Sequence, residues 1–435
     1  MGPLNSFFFS QIAAFAKSIA TVWDAVWWIA ILVIAAIVFW EFWKLYITFK
    51  WFSKIKWKIL EIRIPKNVLK TPKAMEQVFS AAHATHSPAT FWEKYWKGEK
   101  DYHMSFEIVG RAGESHFYLR LPSRFQNLME SAIYSQYPEA EIIEAENYVA
   151  QMPKIIPNKE LDCYGGEWIL ANPNCYPILT YPLFEEAVEE QRVDTIAIII
   201  EAMSKLKDSE QIWIQFIIRP VSNAWKKEGE ETINKLLGIE TTKKKGWLAD
   251  FQGFGFTLGE LLSAPFQHPS QEVKRKEEAA NFKFLLTNPS TKDIVEGIRA
   301  KISKTSFETT VRFLCIDRRE TFKPDNVSSV IGFLKQFGTQ TLNAFRPDPK
   351  TWPKTYGLFK KKKSAWRKRM IYERYRDMMF TPFKKQSILN IEELATVYHF
   401  PIAAVGTTEL EKIPSRKGGP PASLPLIEDE LLPQK

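Results

Sequence analysis

"YHMSFEIVGRAGESHFYLRLP", Tyr102 to Pro122, decides the fold. Apolar and polar residues alternate on both sides of a short break at Gly110 and Gly113, with the period of two that strands require. Two such runs around a glycine-bearing break read as an antiparallel hairpin. Upstream, "WKILEIRIP" (Trp57–Pro65) alternates in the same way. Between them, "TPKAMEQVFSAAHATH" (Thr71–His86) places Met75, Val78, Phe79 and Ala82 on one helical face. Thr71 is positioned to cap that helix and Pro72 to fill its first turn. Downstream, "SRFQNLMESAIYSQYP" (Ser123–Pro138) reads as a helix and "AEIIEAENY" (Ala140–Tyr148) as a strand.

The resulting order over 57–150 is strand, helix, strand, strand, helix, strand. That is the ferredoxin-like order, an α+β sandwich, here with "SPATFWEKYWKGEKD" (Ser87–Asp101) as an insertion. A second α+β domain is expected over 160–350. "YPILTY" (Tyr176–Tyr181), "QIWIQFIIRP" (Gln211–Pro220) and "FETTVRFLCID" (Phe307–Asp317) supply its strands. Helices are expected at about 185–206, 223–237, 268–282, 291–303 and 324–337. An insertion near 239–267 carries Gly253, Gly255 and Gly259 as GxGxxxG. No strong strand precedes it and no acidic residue closes a βαβ unit, so it reads as a mobile loop, or one that touches membrane or partner, rather than a dinucleotide fingerprint.

The region 354–401 holds a basic helix and then "SILNIEELATVYHFP" (Ser387–Pro401). Asn390 and Glu393 have capping-box spacing, Leu389 and Leu394 that of a hydrophobic staple, and Pro401 is a stop. Residues 402–435 are rich in Pro and Gly and read as an extended tail.

The segment 1–56 reads as a membrane anchor with a basic juxtamembrane stretch. "AVWWIAILVIAAIVFW" (Ala25–Trp40) has no charged residue and covers roughly 24 Å as a helix. With its flanks it reaches the hydrocarbon thickness of about 30 Å. Trp23, Trp27 and Trp28 at one end and Trp40 and Trp43 at the other supply aromatic belts. "FFFSQIAAFAKSIATVW" (Phe7–Trp23) either extends the span or rests in the outer interface. Lys17 alone precedes the span, whereas Lys44, Lys50, Lys54, Lys56 and Lys58 follow it. The positive-inside rule therefore expects a single pass through the cytoplasmic (inner) membrane, N-terminus outside and C-terminal bulk in the cytoplasm. The following lysines, mixed with Trp51, Phe52 and Trp57, suit an anionic leaflet.

The net charge of +9 comes from 59 basic and 50 acidic residues. It is concentrated in Lys354–Lys385, where twelve Lys or Arg face only Glu373 and Asp377. Lys360, Lys361, Lys362, Lys363, Arg367, Lys368, Arg369, Arg374 and Arg376 interleave there with Trp366, Tyr372 and Tyr375. Such a pattern neutralises phosphates and stacks on bases. It equally suits an anionic lipid surface, an acidic partner, or a helix that is simply solvated. No Walker, G-x-S-x-G or HExxH pattern is present. Cys163, Cys175 and Cys315 lack metal spacing and read as buried thiols. His83 and His86 read as surface histidines of one helix, and His399 as a packing or hydrogen-bonding residue. The reading is therefore of a chain that is not an enzyme and needs no cofactor or metal.

Five stretches are similar to the N-terminal, membrane-anchored region of conjugation and type IV secretion motor ATPases. The likeness is to HerA/FtsK-like proteins, especially the forms of candidate-phylum bacteria. The stretches are "EIRIPKNVLKTPKAMEQVF" (Glu61–Phe79), Ser105–Ile142, "YPILTYPLFEE" (Tyr176–Glu186), "DSEQIWIQFIIRPVSNAWKK" (Asp208–Lys227) and "LNIEELATVYHFP" (Leu389–Pro401). In those ATPases the last stretch and a Pro-rich linker lead into the motor domain. The resemblance implies the fold and the membrane setting and carries over no ATP hydrolysis. The reading built on it is a cytoplasmic scaffold that docks a separate motor ATPase of the same family or acts as that motor's detached N-terminal half. A nucleic-acid-binding membrane tether, with DNA as partner, is the alternative. Homo-oligomerisation is compatible with either.

Overall fold

The computed structural model describes residues 3–65, 70–88, 90–183, 194–239, 289–380 and 386–401. The Gly-rich insertion, the helix expected at 268–282 and the tail 402–435 lie outside the described residues. Two compact units are present, Met1–Trp57 with Thr85–Tyr102, and Lys58–Ala84 with His103–Lys435.

In the first unit, α1 (Pro3–Phe52) is one helix, and the run Phe7–Trp23 belongs to it. Its stretch Trp27–Phe52 is long and apolar enough to cross a membrane, with mean hydropathy 1.9, the one such helix among the described residues. A short π-helix, Glu93–Lys97, follows in the same unit. Thr90 starts it, donating both its N–H and hydroxyl to a Glu93 carboxylate oxygen at 2.9 and 2.8 Å.

The second unit is α+β and built on one antiparallel sheet. Its strands are β1 (Trp57–Arg63), β2 (Met104–Arg111), β3 (Glu114–Pro122), β4 (Glu141–Glu144), β5 (Leu161–Leu170), β6 (Gln211–Pro220), β7 (Ser306–Arg318), β8 (Phe345–Pro347) and β9 (Ser387–Asn390). The strand order is β4-β1-β3-β2-β6-β7-β5-β8, with β9 added against β7. The hairpin turns at Ala112 and Gly113, both at positive φ (48° and 83°), the backbone of a tight two-residue turn. Gly110 sits inside β2, where a Cβ would come within 2.4 Å of the Met203 side chain.

The two regions expected as separate α+β domains thus share one sheet, joined where β2 pairs with β6. From that junction outward the strands run β2-β3-β1-β4 on one side and β6-β7-β5-β8 on the other. The second half therefore repeats the strand order of the first.

One sheet face is covered by helices α2 (Lys73–His83), α3 (Gln126–Gln136), α4 (Ala197–Ser204), α7 (Asp325–Lys335) and α9 (Ile391–Val397). Phe106 and Ile108 of β2 and Ile214 and Phe216 of β6 point into this apolar layer. A smaller pair, α5 (Lys226–Leu236) and α6 (Pro289–Ser303), packs around Ile233 and Ile298. The opposite face carries Val109, Trp213, Leu314 and Ile316 and is covered by α8 (Lys360–Arg376) and the segment around Tyr148.

Several local expectations need correction. "YPILTY" is not a strand. The Ile178 N–H donates to Glu393 Oε1 (2.9 Å), Leu179 N–H to the Phe337 carbonyl (2.9 Å) and Tyr181 N–H to Thr396 Oγ1 (3.0 Å). Those donors are consumed by side chains and a loop, so no ladder is needed. Thr71 gives α2 no side-chain cap, because Pro72 takes the N-cap position. α2 ends at His83, so His86 lies beyond it, 3.0 Å from Asp101. α9 ends at Val397, short of Pro401, as Tyr398 turns extended.

The capping box is present as expected. Asn390 Oδ1 accepts from Glu393 N–H (2.8 Å), and Glu393 Oε2 accepts from Asn390 N–H (2.9 Å). The other Glu393 oxygen meets Lys301 Nζ at 3.1 Å, with both side chains fully buried. Burial pushes the Glu393 carboxyl up and the Lys301 amine down. The cost of burying this pair makes its loss asymmetric. Asn390→Ala is expected to cost about 1 kcal/mol, a cap. Glu393→Ala, which strands the Lys301 charge, is expected to cost about 3–5 kcal/mol. Pulse proteolysis in urea would rank the two.

Candidate functional site

The basic segment forms α8, and its sequence divides into a base held in the core and a tip held in water. The base is fixed by Ile371, Tyr372 and Tyr375, all fully buried against the sheet. Tyr372 donates to the Pro153 carbonyl (2.8 Å), and the Tyr375 hydroxyl lies 2.8 Å from that of Tyr148. Tyr148 in turn donates to Glu107 Oε2 at 2.6 Å. Two of the three aromatics proposed to stack on bases are therefore core residues. Burial drives their phenols well up. Trp366 alone of the three is exposed, at 60%.

Beneath the helix runs a buried polar row. Glu107 on β2, Gln215 on β6, Arg312 on β7 and Glu167 on β5 are successive cross-strand neighbours. Arg312 Nη2 meets Glu167 Oε1 at 2.8 Å, and its Nη1 donates to Gln215 Oε1 at 2.9 Å. The same guanidinium donates to the carbonyls of Arg374 (2.8 Å) and Met379 (2.6 Å). Gln215 Nε2 donates to the Tyr375 carbonyl (3.2 Å), and Arg120 Nη1 to that of Arg376 (3.3 Å). A helix leaves its last carbonyls without helical donors and carries partial negative charge there. Two buried arginines meet both needs.

The nine basic side chains separate accordingly. Arg367 donates to the Trp352 carbonyl (2.6 Å), and Lys368 holds both Asp162 oxygens at 2.9 Å. Arg374 lies 3.4 Å from Glu167, and Arg376 pairs with Asp377 (2.8 Å) and the Lys154 carbonyl (2.9 Å). Arg369 makes an exposed pair with Glu373 at 2.9 Å. Lys360, Lys361, Lys362 and Lys363 are exposed and make no ion pair among the described residues. They occupy the first turn of α8, which holds no acidic residue. Each cation there opposes the helix dipole by about 0.3–1 kcal/mol. Just before them Tyr356, Leu358 and Phe359 are exposed at 79%, 99% and 73%.

Beside this tip lies a cleft of about 770 Å³, lined by Arg319, Lys354, Lys360, Lys361, Trp366 and Arg369 among others. Its one carboxylate, Asp162, is already neutralised by Lys368. The arrangement suits phosphate or carboxylate groups. Arg319 joins from the end of β7, some forty residues upstream, so no local pattern in the sequence points to it. Among the described residues no group of three His, Cys, Asp or Glu could hold a metal. The three cysteines are free and buried, and burial pushes the Cys163 thiol up to about 12. His399 lies inside the fold, between the Ala395 carbonyl (2.9 Å) and Asp194 (3.0 Å).

The juxtamembrane lysines are distributed more loosely. Lys44 pairs with Glu41 (2.6 Å) and Lys50 lies over the Tyr46 ring (5.9 Å). Lys54 and Lys56 are exposed, and Lys58 pairs with Glu144 at 2.7 Å.

Removing Arg312 takes from Glu167 its nearer, fully buried partner, leaving Arg374 at 3.4 Å, and deprives the Arg374 and Met379 carbonyls of their buried donor. Arg312→Met is expected to destabilise the second unit by about 3–5 kcal/mol. Lys360→Ala, at the solvated tip, is expected to change stability by under about 0.5 kcal/mol. Urea unfolding followed by proteolysis would separate them.

A family model described as a domain of unknown function (DUF8128) matches residues 50–412. No curated protein matches the chain. The matched region begins at the end of α1 and takes in the whole sheet, α8 and α9, and the chain belongs to this DUF8128 family.

Proposed function

We propose that the protein is a scaffold anchored in the cytoplasmic membrane that docks a separate motor ATPase of the type IV secretion or conjugation kind and hydrolyses no ATP itself. The observation that carries this reading is the seating of Leu389–Pro401. In the similar ATPases such a segment leads into the motor. Here β9 completes the sheet against β7, and α9 is locked by Glu393 and Lys301. Beyond α9, Tyr398 and Phe400 are buried among Phe79, Phe106 and Phe117. Chain following Pro401 therefore departs from a fixed point, which is what a docking or force-bearing joint requires.

The same reading takes the order β4-β1-β3-β2, with α2 and α3, as a ferredoxin-like module and β5–β8 as its second copy. It places the N-terminus outside and the sheet-bearing unit in the cytoplasm, from the lysines that follow the span. The tip Lys360–Lys363 is the contact we assign to the motor. A nucleic-acid tether is the second reading. The exposed lysines and the cationic cleft favour phosphate binding, but the burial of Tyr372 and Tyr375 removes most of a stacking platform.

Crosslinking in native membranes followed by capture of the full-length protein tests this. A P-loop ATPase is expected in stoichiometric amount. Replacing Lys360–Lys363 by Gln is expected to weaken its capture several-fold and flatten the salt dependence. Recovery of DNA without any ATPase would overturn the scaffold reading in favour of the tether.

A further inference from the structure

The insertion Ser87–Asp101 carries an aromatic cluster that neither the sheet nor the basic helix uses. It is clamped to α1. Trp43 Nε1 donates to the Tyr95 carbonyl at 3.1 Å. The Tyr95 ring stacks on Trp40 (5.8 Å), and Trp96 meets the same ring edge-on (6.5 Å). Gly98, at φ 72°, closes against Ile47, whose carbonyl carbon would lie 2.5 Å from any Cβ there. The insertion is therefore fixed along α1 between Trp40 and Ile47.

Its other side is unlike a soluble surface. Phe91, Trp92 and Trp96 are exposed at 64%, 64% and 52%, and Trp92 packs on both neighbours (6.4 and 4.8 Å). Lys94 and Lys97 sit among them, Lys94 over the Tyr95 ring at 5.5 Å. Large aromatics mixed with lysine, beside a helix whose own apolar side chains are exposed, have the composition of the headgroup layer of a bilayer.

We infer that Phe91–Lys97 is an interfacial foot. It lies in the headgroup layer on the C-terminal side of the span and sets the edge of the hydrocarbon at Trp40–Trp43. The apolar stretch of α1 runs on to Phe52, so composition alone puts that edge up to nine residues later. With the edge at Trp43, a hydrocarbon thickness of about 30 Å at about 1.5 Å per residue reaches back to about Trp23. The inference rests on the membrane-anchor reading and not on the motor. The occupant is lipid because the surface continues that of a membrane-spanning helix in the same unit.

The test uses full-length protein in nanodiscs of phosphatidylcholine and phosphatidylglycerol. Its native cysteines are buried, so single nitroxides can be placed by Phe91→Cys, Trp92→Cys, Phe39→Cys and Glu139→Cys. Labels at 91 and 92 are expected to collide with dissolved oxygen but to be shielded from a water-soluble nickel chelate, several-fold relative to the exposed site 139. Nickel access at 91 and 92 equal to that at 139, with 39 still shielded, would overturn the foot and leave the span standing. Equal access at 39 as well would overturn both. Because 91 and 92 are exposed side chains, neither label has to displace a packed core residue.

Discussion

The guanidinium of Arg312 holds the second unit together at one point. It is fully buried, on β7, and binds Glu167 of β5, Gln215 of β6, the Arg374 carbonyl in the last turn of α8 and the Met379 carbonyl just beyond it. One side chain thereby ties three neighbouring strands to the helix that covers them. Burial of such charge gains little net stability, because desolvation offsets most of the attraction. What it fixes is position. A one-residue shift of β7 against β6 would turn Arg312 into the apolar layer formed by Phe313 and Val311. α8 could not slide along the sheet without leaving its last carbonyls unpaired in the core.

That constraint explains how α8 tolerates its own sequence. Four lysines in the first turn work against the helix dipole. An isolated helix of this composition would fray from that end. Here the carbonyl end is anchored by Arg312, Arg120 and Gln215, and three apolar anchors sit on the sheet, so a charged tip can be presented in water. Stability and exposure are placed at opposite ends of one element. The cationic cleft at the tip is a consequence of the buried row at the base.

The hairpin and the capping box were legible because each depends on neighbours in sequence. Alternation marks β2 and β3, and Asn390 with Glu393 marks the start of α9. β5 carried no such signal. "LDCYGGEWIL" places Gly165 and Gly166 mid-strand, since backbone oxygen of Phe313 and the ring of Trp352 would lie 2.3 and 2.5 Å from any Cβ there, and it places Glu167 where Arg312 needs a partner. β9 was hidden in the same way, as four residues that read as the approach to a helix. Both strands are set by contacts about 145 to 155 or about 80 residues away in the chain. The stacking role given to Tyr372 and Tyr375 failed for a related reason. Interleaved aromatics and cations look alike whether the aromatics face a ligand or a sheet, and the sheet residues that decide it lie far upstream.

The edges of the sheet bear on how a partner can attach. An open edge is a template for another strand, and proteins that must not pair there keep edges short, charged or interrupted by proline. β4 is four residues with Glu141 and Glu144 at its ends, and β8 is three residues ending in Pro347. Both outer edges are thus poor templates for strand addition. A docking partner recognised by charge at an exposed helix tip needs no such edge, and its on-rate is raised by long-range attraction that a hydrogen-bonded edge does not supply. The same sheet that duplicates its strand order around the β2–β6 junction pairs the open edges of β2 and β6 with each other in doing so, which leaves the cationic tip of α8 as an exposed charged surface whose chemistry is independent of the sheet that supports it.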